Sequence, residues 1–274
     1  MERIKLAIEK AKKNSATQRP ARTAASLKPV AVTSATAEEI GDLDYKETQV
    51  VGLDSTLLEK NRIVALNKNA PTSWVFDLLR TQVLQKMEEN GWRTLAITSP
   101  TPEAGKTVVS INLAMSIAQQ TNKTAMLVDF DLRRPKVGAY LGLPMEKSLN
   151  EFFDGKAELT DILVNPGIPR LVVLPASQPV PKSSEMLSSK KMESLINEFR
   201  DRYDERIVIF DLPPLLNADD AIAILPKIDC VLMVVANGGS SKSEIEESMH
   251  HLANSNLLGV VLNKAEAMPR AYYY

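Results

Sequence analysis

The stretch Ser99–Thr107, SPTPEAGKT, ends in a Gly-Lys-Thr that can cradle phosphate. Gly105 lets the backbone approach an anion closely, Lys106 can reach the outer phosphates of a nucleotide, and the Thr107 hydroxyl can ligate Mg²⁺. Glu103, Ala104 and Val108 flank these residues, and their peptide N–H groups can serve the same cradle whatever their side chains are. Pro100 stands where the usual spelling, G-x-x-x-x-G-K-[ST], has its first glycine. A GKT alone is a weak signal, and a surface turn with a lysine would read the same. Its setting strengthens it: TLAITS before the loop reads as a short buried strand, and TVVSINLAMSIAQQ after it as an apolar helix.

Carboxylates follow at the ends of two further apolar runs. LVDFDLRRP carries Asp129 and Asp131, and residues i and i+2 of an extended segment point to one face. Two such carboxylates repel unless a cation or proton intervenes, so a Mg²⁺ site or a base beside one is the economical reading. Arg133 and Arg134 supply the competing reading, an ordinary ion pair. RIVIFDLPP places Asp211 after an apolar strand, the arrangement in which a carboxylate orients Mg²⁺ or its water, and Pro213 and Pro214 then turn the chain away. Asp219 and Asp220 are expected to cap the helix after it. LGVVLNKA ends in Asn263 and Lys264. The amide can read a purine edge, by donating and accepting at once, or close a strand-end turn. The chain finishes on Tyr272, Tyr273 and Tyr274, which can be phosphate acceptors, a docking tag or an apolar tail.

The elements that would position these groups alternate. TSWVFDLLRTQVLQKMEEN is expected as a helix with Trp74, Leu78, Val83, Leu84 and Met87 on one stripe, Thr72 or Ser73 as its N-cap and Gly91 at its end. TAMLVDF, RLVVLPA, RIVIFDLPP, CVLMVVA and LLGVVLN read as buried strands. SSKKMESLINEFRDRY, DAIAILPKI and KSEIEESMHHLANSN read as helices between them. Near-continuous apolar strands alternating with helices predict an α/β fold, a doubly wound and mostly parallel sheet covered on both faces. Ligands in such sheets bind beyond the carboxyl ends of the strands, where every motif above falls.

Before this region the composition changes. Residues 1–14 have the spacing of an amphipathic helix, on Ile4, Ala7, Ile8 and Ala11, and residues 15–60 read as a flexible linker rich in Ala, Thr, Ser and Pro. A P-loop domain over 61–268 and a tyrosine tail over 269–274 complete the expected organisation. Residues 1–30 carry eight Lys/Arg against two Glu, so the first helix could meet anionic lipid or a protein partner. The whole chain, at a net charge of -1, has no general attraction for nucleic acid, which is not expected as a partner. Cys230 is the single cysteine, within an apolar run, and reads as a buried structural thiol. No apolar run approaches the roughly 18 residues that cross a bilayer, and the charged N-terminus lacks the core of a signal peptide. The expected location is the cytoplasm.

Together, TSPTPEAGKT, LVDFDLRRP, VIFDLPP, LNK and the tyrosine tail resemble the bacterial tyrosine kinases of polysaccharide export, in the MinD/ParA-like branch of P-loop ATPases. The resemblance covers about residues 61–274, and LRTQVLQKMEENGWRTLAITSPTPEAGKT looks like the cytoplasmic CpsD/CapB-type members. It implies an ATP- and Mg²⁺-dependent autokinase that phosphorylates its tyrosine cluster on a neighbouring subunit's site and regulates exopolysaccharide or capsule assembly. Lys106 and Thr107 match the phosphate-loop pair. Asp129 and Asp131 match the carboxylates for Mg²⁺ and for activating the tyrosine hydroxyl, and Asp211 matches the further Mg²⁺ carboxylate. The implied partner is a membrane adaptor of the chain-length-regulator type, which would hold the chain at the inner face of the membrane, and homo-oligomers are implied too. Three departures stand out. Glu103 occupies a position where the family often has glycine, and the tail has three tyrosines where many relatives have more. Of the oligomerising helix motif E-x-x-R-x-x-R only Arg80 remains, with Trp74 and Asp77 at the other two positions. A nucleotide-driven switch without kinase activity, or a weakly nucleotide-binding scaffold for the export machinery, are the alternatives.

Overall fold

A computed structural model describes residues 49–265, apart from Lys68, Pro71, Thr121, Glu146 and Ala218. The expected helix at 1–14 and the tail at 269–274, with Tyr272, Tyr273 and Tyr274, lie outside the described residues, as does most of the expected linker.

The elements run β1 (Gln49–Val50), α1 (Ser55–Lys60), α2 (Ser73–Asn90), β2 (Thr94–Thr98), α3 (Lys106–Ala118), β3 (Thr124–Asp129) and α4 (Val137–Leu141). They continue with α5 (Leu149–Phe153), α6 (Leu159–Ile162), β4 (Val164–Asn165), β5 (Leu171–Leu174), α7 (Ser183–Ser188) and α8 (Lys190–Asp201). The last are β6 (Arg206–Asp211), α9 (Asp220–Ile224) with a 3₁₀ turn, β7 (Cys230–Ala236), α10 (Lys242–His251) and β8 (Leu257–Asn263). One sheet takes them in the order β1-β4-β5-β3-β6-β2-β7-β8, and every pairing is parallel except β4 with β5. The doubly wound, mostly parallel sheet expected from the sequence is therefore the observed architecture.

Strand periodicity divides the core in two. Leu95 and Ile97 of β2 and Ile207 and Ile209 of β6 pack into one layer with α2 and α3. Ala96, Val208 and Phe210 face the other, with α7, α8 and α9. The central strands are buried on both faces, which is why they read as continuous apolar runs rather than alternating ones. Phe130 and Phe210 stack across the second layer with ring centroids 5.0 Å apart.

Residues 49–60, placed in a linker by composition, instead form β1 and α1. Val51 N–H donates to the Asn165 carbonyl, Asp54 caps α1 by accepting from Thr56 N–H, and Leu58 is buried. The strap continues across α3, where Asn112 Oδ1 accepts from Val64 and Ala65 N–H and its Nδ2 donates to the Arg62 carbonyl. Polar side chains anchor this segment, so it shows no apolar period. The helix α2 is also corrected in part. Val83, Leu84 and Met87 are buried and Phe76 and Leu79 pack half-buried against the same layer, but Trp74 and Leu78 are 49% and 50% exposed, so the stripe omits them. Thr72 sits at the N-cap without a side-chain bond, while Gly91, at φ 68, closes the helix as expected. The helices α4, α5 and α6 were not foreseen; at five residues or fewer they are too short to show a period.

Cys230 is wholly buried, and burial with the nearby Asp229 charge pushes its thiol up to about 12. At pH 8 the reactive thiolate would then be about one part in ten thousand. A thiol-reactive chromogenic disulfide should therefore leave folded protein unlabelled at pH 8 and label one thiol per chain in denaturant. Rapid labelling of the folded chain would contradict this burial.

Candidate active site

The phosphate loop joins β2 to α3. Thr98 Oγ1 donates to the Pro213 carbonyl, Ser99 Oγ to the Thr101 carbonyl, and Leu215 and Leu216 N–H to the carbonyls of Ser99 and Pro100. The segment after β6 is thus laced to the start of the loop, and Pro100 takes part through its carbonyl. Glu103 has φ 64 and Gly105 φ 90, both in the left-handed region where glycine is favoured. A Cβ on Gly105 would also run into the Asn263 side-chain amide, which would have to move. Glu103 carries the conformation without that relief. Its side chain is exposed, while Ala104 beside it is buried and Val108 is half-buried.

Asn263, at the end of β8, donates from Nδ2 to the Ala104 carbonyl at 2.8 Å. Its amide braces the loop, which leaves Oδ1 as the atom that could meet a base. Lys264, next to it, has φ 57 and turns the chain out of the strand.

Lys106 is buried at the first position of α3. Its Nζ lies 2.8 Å from Asp131 Oδ2, 3.5 Å from Asp211 Oδ2 and 3.5 Å from Thr107 Oγ1. Thr107 Oγ1 donates to Asp211 Oδ2 at 2.6 Å, and Ser110 Oγ lies 3.0 Å from Asp211 Oδ1. Burial pulls the Lys106 pKa down, but Asp211, Asp131 and Asp129 outweigh it and the ammonium is held above its ordinary range. Burial raises Asp211, against the pull of Lys106 and the hydroxyl of Thr107. Burial and the Asp211 charge push Asp129 up to about 8, opposed by the Val137 N–H and by Lys106. Asp129 and Asp211 are register partners on β3 and β6, which puts their charges side by side.

The two carboxylates of the DFD segment have different surroundings. Asp129 Oδ2 accepts from Lys136 and Val137 N–H, both at 2.9 Å, and its Oδ1 from Asp131 N–H at 3.2 Å. Both oxygens hold the turn after β3. The strand ends at Asp129, so the extended spacing that would have put Asp131 on the same face does not apply. Asp131 accepts from Arg134 N–H through Oδ1 and presents Oδ2 to Lys106. Neither arginine side chain pairs with these two. Arg133 binds Asp219 and Asp220 instead, and the buried Asp220 also accepts from Ser183 Oγ. Neither Asp219 nor Asp220 makes a side-chain cap bond to α9. Arg80, expected at a subunit interface, is tied within the chain, donating from Nη1 to Asp77 Oδ1, the Ser116 carbonyl and Ser116 Oγ. Ser110 was missed because it lies beyond the GKT spelling.

Among the described residues no group of three His, Cys, Asp or Glu side chains forms a metal cage. The donor set fits a Mg²⁺ that draws most of its shell from phosphate and water, as this ion commonly does. Asp131 and Asp211 lie beside the one ammonium, and with Thr107 Oγ1 they supply oxygens next to the loop.

The model of the AAA domain family matches residues 93–255, from the start of β2 to the turn before β8. The protein named "Putative tyrosine-protein kinase CapB" of Staphylococcus aureus is 30% identical over 199 residues, covering 72% of this chain and 86% of that protein. The chain belongs to the bacterial tyrosine kinases. Tyrosine-protein kinase Etk of Escherichia coli K12 is 35% identical over 187 residues, 68% of this chain but 25% of that longer protein. The solved kinase domain of Escherichia coli ETK superposes with a TM-score of 0.69 at 29% identity, covering 86% of this chain and 97% of that one. The fold is shared more widely: MinD of Pyrococcus horikoshii, solved with Mg-ADP, has a TM-score of 0.53 at 20% identity, over 65% of this chain and 74% of that one.

The Asp129 arrangement is testable without ligand. Asn at 129 could offer an acceptor to only one side of a carboxylate that now faces three N–H donors. Asp129→Asn is expected to destabilise the fold by about 1–3 kcal/mol, seen as a lower midpoint in urea. An unchanged midpoint would show that these bonds do not hold the turn.

Proposed function

We propose that this chain is an ATP- and Mg²⁺-dependent protein-tyrosine autokinase that phosphorylates its own C-terminal tyrosines, Tyr272, Tyr273 and Tyr274, in the control of exopolysaccharide or capsule assembly. The observation that carries the proposal is the buried pairing of Lys106 with Asp131 at the mouth of a phosphate loop, in a chain of this family. The glycine-braced loop offers its peptide N–H groups to the triphosphate, and Lys106 exchanges Asp131 for the outer phosphates as the nucleotide enters. Asp131, freed of its partner, accepts the phenol proton. The tyrosine oxygen then bonds to the γ-phosphorus as the bond to the ADP oxygen breaks. Thr107 and Asp211 would hold the Mg²⁺, which would supply charge neutralisation at the phosphates. Asp129 keeps the Asp131 turn in shape rather than ligating the metal, because both its oxygens are engaged by backbone. Asn263 keeps Gly105 in place and offers Oδ1 to the base.

Glu103 supports a working loop in that its backbone keeps the glycine-like turn while its side chain is exposed. A switch that works across a dimer is disfavoured by the absence of a lysine between Ser99 and Gly105. No helix among the described residues is long and apolar enough to cross a membrane, so membrane placement in this reading falls to an adaptor of the chain-length-regulator type. Arg80, engaged within its own subunit, is not a contact in this reading.

Purified protein incubated with Mg-ATP should acquire phosphotyrosine at 272–274, mapped by mass spectrometry, and addition of a candidate adaptor's cytoplasmic tail should raise the yield. Lys106→Met should lower it by about a hundredfold or more. Phosphotyrosine that persists in this variant would sink the proposal. Phosphate release without phosphotyrosine would select the switch, and neither product, with adaptor present, the scaffold.

A further inference from the structure

Asp211 is the most enclosed carboxylate of the site, with no exposed surface at the end of β6. Thr107 donates to its Oδ2 at 2.6 Å. Its Oδ1 lies 3.0 Å from the hydroxyl of Ser110, which is also fully buried. Ser110 stands four residues after Lys106 and three after Thr107, so all three project from one side of α3. Its neighbours along the helix, Val109 and Ile111, are buried apolar residues. A serine in a helix interior competes with the backbone for hydrogen bonds and is a poor choice there without a partner.

We propose that Ser110 is a positioning residue of the phosphoryl-transfer site: its hydroxyl holds the Asp211 carboxylate in the rotation that turns Oδ2 toward Thr107 and Lys106. This rests on the kinase reading above. The hydroxyl has one proton and two acceptors in range, the Lys106 carbonyl at 2.9 Å and Asp211 Oδ1 at 3.0 Å. The charged carboxylate is the stronger acceptor. Gripped at both oxygens, Asp211 cannot swing about its terminal bond, and the oxygen nearest Thr107 is kept where the metal would need it. Ser110 touches neither nucleotide nor metal in this account; it acts through Asp211, as the outer partners of metal ligands do.

The test uses the full chain and a fluorescent ADP analogue, mant-ADP, titrated with Mg²⁺ and again with EDTA. Wild type is expected to bind more tightly with Mg²⁺. Ser110→Ala should lose about tenfold or more of that Mg²⁺-dependent gain, the usual scale for such partners, with its EDTA affinity unchanged. Ser110→Thr keeps the hydroxyl and Ser110→Val has the same shape without it, so the first should retain the gain and the second lose it. This pair also guards against a packing defect, since both add the same bulk. A full gain in Ser110→Ala, or equal behaviour of the Thr and Val variants, would overturn the proposal. If wild type shows no Mg²⁺-dependent binding, the nucleotide reading itself fails, which is a different result from a gain that survives in Ser110→Ala.

Discussion

Three carboxylates and one ammonium, closed off from water, are the constraint on which the site depends. Asp129, Asp131 and Asp211 converge because β3 and β6 are parallel neighbours in register, and Lys106 meets them because α3 begins at the loop beside β6. Charges of one sign this close and this buried are unfavourable unless matched. Burial raises Asp129 and Asp211 most, and a neighbouring carboxylate adds to each shift. Lys106 answers part of this repulsion and lies 2.8 Å from Asp131 Oδ2.

The remainder of the architecture serves to hold that cluster. Asp129 uses its carboxylate on three backbone N–H groups and so shapes the turn from which Asp131 projects. The segment after β6 is laced to Ser99 and Pro100, and β8 delivers Asn263 to the Ala104 carbonyl. Gly105 can stand in the left-handed region against that amide only because it lacks a Cβ. Glu103 occupies the same region at a cost that the loop tolerates, as strained positions near functional sites often do. The loop keeps its shape through contacts made by its neighbours, which is why the loss of an early glycine at Pro100 leaves it intact.

The helix before the loop shows the family motif replaced by different physics. Arg80 folds back onto Asp77 and Ser116, while Trp74 and Leu78 remain about half exposed. An arginine turned back onto its own subunit through Nη1 differs from one presented to a neighbour. The same helix packs Phe76, Leu79, Val83, Leu84 and Met87 into the core layer on its other side.

The sequence by itself determined the fold class and the places where chemistry could occur. Near-continuous apolar strands such as CVLMVVA can be buried only on both faces, and a polar residue ending such a strand must stand at the carboxyl edge of the sheet. Asp211 and Asn263 were legible for that reason, and Lys106 and Thr107 from the spelling of the loop. What each carboxylate does was not, because spacing along a strand carries no information once the strand stops, and β3 stops at Asp129. The strap over 49–66 was hidden as well, since Asn112 and Asp54 anchor it through hydrogen bonds that leave no period. Arg133 found Asp219 and Asp220, and Ser110 found Asp211, across elements far apart in the chain. Only the packing of parallel strands decided which charges met, because side-chain partners at such separations are set by register and helix placement rather than by local order.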